Sequence, residues 1–245
     1  MKWELIQLEN AVRDAHGNRY AEAIHDPLHS VSWKSDMMTY HACEAENVLN
    51  DAIAGTPGID DDDSQSITFG KAAIVAAAPC EAGQRLRTAR FKAEAHVIAS
   101  AQALHSLCDI ICHVVYWAYQ LDTVPNAPKT NRLNLHLMLR TLSTLPHFVE
   151  TASLIQAVVD APEFTYLAAY VNTTKHRSLV SSTLSASFGT NENGGMTINA
   201  FSYTDLRGHP RKFARKWADD FLRHENQALL NRLVAIGNSL NNYFT

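Results

Sequence analysis

Glycine and proline are scarce in this 245-residue chain, ten and eight in all. That is too little punctuation for the many short, turn-linked strands of an all-β sandwich, and it favours long helices. Cysteine is scarcer still. Cys43, Cys80, Cys108 and Cys112 contain no Cys-x-x-Cys pair, which excludes a disulfide scaffold and the usual zinc-ribbon spacing. Long apolar runs are missing too. The longest, Ile110 to Leu121, is interrupted by His113 and Gln120 and is too short to span a bilayer. The opening residues MKWELIQLENAVRD carry charges throughout and lack a signal-peptide core. There is no phosphate-binding glycine loop, no dinucleotide fingerprint and no Gly-x-Ser-x-Gly elbow. The reading is a cytoplasmic protein with reduced thiols and no cofactor.

What charge there is divides unevenly. Residues 1–130 hold 10 Lys/Arg against 17 Asp/Glu, a net of −7, while residues 131–245 hold 11 against 8, a net of +3. Such a balance excludes a general nucleic-acid coat but allows a local anion-binding surface.

Periodicity predicts a mainly α fold, a helical bundle with one inserted β-hairpin near residues 178–204. Leu86 to Gln120 has neither glycine nor proline, and an apolar three-four rhythm runs through Phe91, Ile98, Leu104, Leu107, Ile111 and Val114. A helix of that length buries a face only within a bundle. Shorter amphipathic stretches follow at Asn131–Leu145 and Phe148–Val159, and Pro162 suits the first turn of another, EFTYLAAYVNTTKHR. The alternating runs SLVSSTLSASFG and MTINAFSY flank TNENGG, a hairpin signal. A last helix is expected from Trp217 to about Tyr243. The first 30 residues read either as a helix or as a hairpin through Gly17-Asn18, closed by Pro27, with Ser35-Asp36 capping the next helix. Ile67–Ala78 fits a strand or a helix. The four aspartates Asp60 to Asp63 repel one another and read as a wet loop. With no long linker and no repeat, residues 1–245 read as one domain, with residues 1–30 and the loop 55–66 at its periphery.

Three groups of side chains carry candidate chemistry. Asn172, Lys175, His176 and Arg177 lie at the predicted end of a helix, with Asn172 and His176 on one face. Histidine is the usual general acid or base near neutral pH, and flanking cations can clamp a phosphate, so the set suits phosphodiester cleavage without a metal. The plainer alternative is a helix C-terminus, where Lys, His and Arg meet the dipole favourably. Arg211, Lys212, Arg215 and Lys216 form a second group, expected to open the last helix, where four cations oppose the dipole. A phosphate-rich partner, RNA, explains them, with Phe213 and Trp217 able to stack a base. The third group, His105, Asp109 and His113, follows strict four-residue spacing. It reads as a polar ladder within a bundle, with metal binding as the alternative.

The segment Asn172-Thr-Thr-Lys-His176-Arg177 resembles the signature of the HEPN superfamily, whose motif is an arginine, a polar residue (often asparagine), a few variable residues and a histidine. Val171 stands where that family places its arginine, and Arg177 or Lys175 is the cation available instead. The resemblance implies a compact helical bundle and a metal-independent endoribonuclease of toxin–antitoxin or phage-defence type. It also implies a homodimer whose two motifs line one cleft, an antitoxin or other partner protein, and no membrane. A non-catalytic RNA- or nucleotide-binding module on the same fold is the alternative, as is a metal-binding bundle.

Overall fold

The computed structural model describes residues 3–59, 63–188, 192–205 and 208–245. The protein is mainly α. It has helices α1 (Leu5–His16), α2 (Asn18–Ala54), α3 (Gln65–Ala77), α4 (Glu81–Ala118), α5 (Leu135–Leu142), α6 (Val149–Val159), α7 (Pro162–His176) and α8 (Asn226–Tyr243), and a small β part. That part comprises β1 (Ser182–Ser187), β2 (Asn193–Ile198), β3 (Phe201–Thr204), β4 (Pro210–Phe213) and β5 (Lys216–Trp217).

The chain forms two compact units. The first holds Met1–Met37, Ala103–Leu167 and Asn226–Thr245; the second holds Met38–Gln102 and Ala168–Glu225. In the first, α5 packs on α6, α6 on α8, and α1 on α8, around Leu8, Ile24, Leu104, Met138, Ile155 and Leu240. A buried polar chain crosses this core. Tyr119 and Thr151 share a hydroxyl hydrogen bond of 2.6 Å, Thr151 and Ser239 one of 3.1 Å, and Ser239 donates to the Ile236 carbonyl at 2.9 Å. Each hydroxyl thereby keeps a partner, which offsets its desolvation. Residues 3–30, expected at the periphery, supply Leu8, Val12 and Ile24, all fully buried.

Two features of this stretch differ from the expectation. Gly17 (φ 86°) separates two helices and does not turn a hairpin. Pro27 lies inside α2, so Ser35 and Asp36 are helical residues, not a cap. A proline removes one helical hydrogen bond, but Ile24, Leu28 and Val31 on either side of it are all buried, and that burial offsets the loss. The ambiguous Ile67–Ala78 stretch is helical, as α3.

In the second unit α3 packs on β1 and β2. Strands β1, β2 and β5 form one antiparallel sheet in that order, with Ser182 opposite Ile198 and Ser187 opposite Asn193. The hairpin near residues 178–204 is therefore present but shorter than expected. Gly194 and Gly195, read as turn residues, sit inside β2, and Gly189 to Asn191 lie outside the described residues. Glu94 of α4 anchors β1, accepting from the Ser182 hydroxyl at 2.7 Å and its N–H at 3.3 Å. Of the aspartate run, Asp60 to Asp62 lie outside the described residues, and Asp63 pairs with Lys71 at 2.6 Å.

Among the described residues α4 is the one helix long and apolar enough to cross a membrane, with mean hydropathy 1.4 over its most apolar window. More than half of that window is buried inside the protein, as in the core helix of a folded domain. Its cysteines Cys108 and Cys112 are buried, and burial pushes both thiols up. Cys43 and Cys80 are exposed. Ellman's reagent is therefore expected to titrate two thiols rapidly in the native protein and all four in denaturant; rapid reaction of four native thiols contradicts this core.

Candidate nucleic-acid interface

Helix α7 begins with Pro162, whose fixed φ and missing N–H suit a first turn. Its last turn ends in a local closure: the Arg177 and Ser178 N–H groups both donate to the Thr173 carbonyl, at 3.0 and 3.1 Å. Lys175 and His176 fall in that turn, where positive charge complements the dipole. Asn172 is half-buried, while Lys175, His176 and Arg177 are exposed. Among the described residues the side chains of Asn172, Lys175 and His176 have no hydrogen-bond or ion-pair partner. Val171 is 0% exposed. The position where the resembling family carries its arginine thus faces the core, not the exposed helix end.

Arg177 is engaged. Its Nη2 donates to the Thr204 carbonyl at 2.5 Å, and its guanidinium carbon lies 4.7 Å from the Tyr203 ring centroid. Both partners belong to β3, so this arginine ties the end of α7 to the β3–β4 hairpin. A second tie lies deeper, where buried Tyr170 meets Phe201 edge-on at 6.1 Å and Phe221 at 5.7 Å.

The hairpin itself was not foreseen. Phe201 pairs with Phe213, Ser202 with Lys212, Tyr203 with Arg211 and Thr204 with Pro210. Pro210 occupies the first position of β4, where a missing N–H is tolerated. Asp205 closes the turn, accepting the His209 N–H at 2.9 Å, and Gly208 takes the positive φ of 84°. Alternation along the strands puts Phe201, Tyr203, Arg211 and Phe213 on one face. There Phe201 and Phe213 stack at 4.9 Å and 18°.

The cationic cluster therefore corrects one expectation: none of its four members opens a helix. Arg211 and Lys212 lie in β4, Arg215 follows it, and Lys216 begins β5. Helical turns start only at Ala218, run through a π-helical segment at Asp220–Glu225, and continue as α8. Lys216 is also committed elsewhere. Its Nζ lies 2.5 and 2.6 Å from the two carboxylate oxygens of Glu225, each side chain only 24% exposed. Arg211, Lys212 and Arg215 are exposed, and among the described residues none has an acidic partner.

Arg177 and Arg211, 34 residues apart in sequence, are thus both neighbours of Tyr203. Arg177 covers its ring, and Arg211 stands directly across the ladder from it. Cross-strand neighbours have Cβ atoms roughly 5 Å apart, so Arg211 leaves the sheet beside the residue whose ring Arg177 covers. The signal that could have found this was the alternation FSYT…PRKF around Asp205 and Gly208. The third predicted group belongs to the other unit. His105, Asp109 and His113 are half-buried on α4 in the first unit, with burial lowering the His113 pKa. Among the described residues no group of three or more His, Cys, Asp or Glu side chains is placed to hold a metal.

Comparison of the chain with protein-family models, curated proteins and solved structures finds no match.

Proposed function

We propose that this protein acts on RNA by holding a single-stranded segment across the end of α7 and the β3–β4 hairpin. The observation that carries the reading is Arg177 held over the Tyr203 ring, with Arg211 its cross-strand neighbour and Arg211, Lys212 and Arg215 all exposed. A guanidinium held over an aromatic ring is pre-organised: it loses little further freedom when it meets a phosphate or stacks on an unpaired base. Lysine and arginine nearby supply the backbone term that makes such binding strong at low salt. The test is titration of a labelled single-stranded RNA, with saturable, salt-sensitive binding expected. The same fold and setting remain those of a cytoplasmic module, acting alone or with an antitoxin-like or other protein partner.

A second reading, a metal-independent endoribonuclease, is favoured by one arrangement. Asn172 and His176 share a face of α7, and the exposed imidazole has Lys175 and Arg177 on either side. In that reading His176 is the general acid or base, Asn172 orients the reacting group and the cations stabilise the charged transition state. A homodimer would bring two such ends into one cleft. Against it stands Val171, buried where the resembling family uses an arginine. Incubation of purified protein with RNA in EDTA decides between the two. The binding reading expects intact RNA from both wild type and His176→Ala; cleavage by wild type that the variant lacks establishes the nuclease.

A further inference from the structure

Outside this surface, the second unit contains a pair of histidines to which neither reading gives a role. His41 of α2 and His96 of α4 approach Nδ1 to Nδ1 at 2.9 Å, with ring centroids 5.2 Å apart. Both are half-buried. The edge of Tyr40 meets both rings, at 5.1 and 6.4 Å between centroids. The pair lies along an antiparallel seam with other polar contacts on both sides. On one side the Ser100 hydroxyl donates to the Met38 carbonyl at 2.9 Å, and far along the other Arg85 donates to the Gly55 carbonyl.

Two facing ring nitrogens form a hydrogen bond only if one carries a proton and the other a lone pair. We propose that His41 and His96 form a proton-sensitive latch on the α2–α4 seam, closed with one proton between the facing nitrogens and open when both rings are charged. The first added proton is tolerated, because an imidazolium still donates to its neutral neighbour. The second removes the only acceptor and sets two cations against each other across 2.9 Å.

The surroundings do little to relieve that repulsion. Glu44 is the acidic group that acts on His41, and from α4 the facing titratable group is His96 itself. Glu46, further along α2, is taken by Arg223, and Lys92, one turn before His96, is a cation. Burial first, and His96 second, lower the His41 pKa, while Glu44 opposes them. The sign follows. The unfolded chain, with an ordinary histidine titrating near about 6.5, binds a proton at a pH where folded His41 does not. Stability from the latch is therefore fully present above that pH and is lost progressively below it.

The experiment is thermal unfolding of wild type, His41→Gln, His96→Gln and the double variant between pH 7.5 and 5.0. Wild type is expected to lose a few degrees more of its midpoint on acidification than the double variant, in which the other titrating groups are unchanged. Equal losses overturn the latch. A second readout needs no variant: the ring-proton NMR titrations of His41 and His96 in wild type. Two separated, mutually coupled steps are expected, and independent titration of both rings at the ordinary histidine pH overturns the proposal.

Discussion

Arg211→Gln/Lys212→Gln/Arg215→Gln is expected to weaken binding of single-stranded RNA on the order of 100-fold at moderate salt, and to lower the salt slope by about 2, near 0.7 per neutralised phosphate. These three cations are the cleanest probe of the surface. All are exposed and, among the described residues, none pairs with an acid, so the unfolding midpoint of the triple variant should stay within a degree or two of wild type. Lys216 is left out because its bond to Glu225 is structural. Arg177→Ala acts differently. It removes a cation and also the hold on Tyr203 and the Thr204 carbonyl, so it should cost affinity and loosen the hairpin together. The measurement is fluorescence anisotropy across a salt series, with thermal melts of the same samples. An unchanged affinity and slope in the triple variant would place RNA elsewhere or remove it altogether.

Gly194→Ala is expected to be strongly damaging, lowering stability by about 3 kcal/mol and the midpoint by roughly 6–12 °C. A Cβ at this position would sit 2.2 Å from the Gln65 carbonyl oxygen and 2.8 Å from its carbon. Both are backbone atoms at the start of α3, so neither can rotate away, and β2 or α3 must shift. Gly195→Ala is the control on the same strand. Its Cβ meets only the Trp217 ring, at 3.7 Å, ordinary van der Waals contact. The control is expected within about 1 kcal/mol of wild type. Similar losses in both variants would mean that β2 and α3 do not approach as described.

Those two glycines also show where sequence reasoning stopped short. TNENGG reads as a turn because paired glycines most often serve backbone freedom. Here Gly194 serves close approach instead, a demand set by α3 more than a hundred residues earlier and invisible to a local pattern. Helices α4, α6 and α7 were legible because their periodicity and their bounding prolines are local signals. Pro27 misled for the converse reason: burial of Ile24, Leu28 and Val31 outweighs one lost hydrogen bond, and burial is tertiary. At the candidate site, the composition of YVNTTKHRSL and RGHPRKFARK showed which side chains to watch. It did not show that Lys216 is taken by Glu225, that Val171 faces the core, or that Arg177 covers Tyr203 with Arg211 as its cross-strand neighbour. The last of these depends on the β3–β4 hairpin, whose pairing rests on two four-residue strands.

The central claim is that unpaired RNA is held at this surface. Its most direct test is the affinity of the wild-type protein for a single-stranded RNA of about 12 nucleotides, against the same sequence as a duplex, from 50 to 300 mM salt. The account predicts saturable binding of the single strand, preferred over the duplex, with affinity falling steadily as salt rises. No saturable binding of the single strand at 50 mM salt would contradict it.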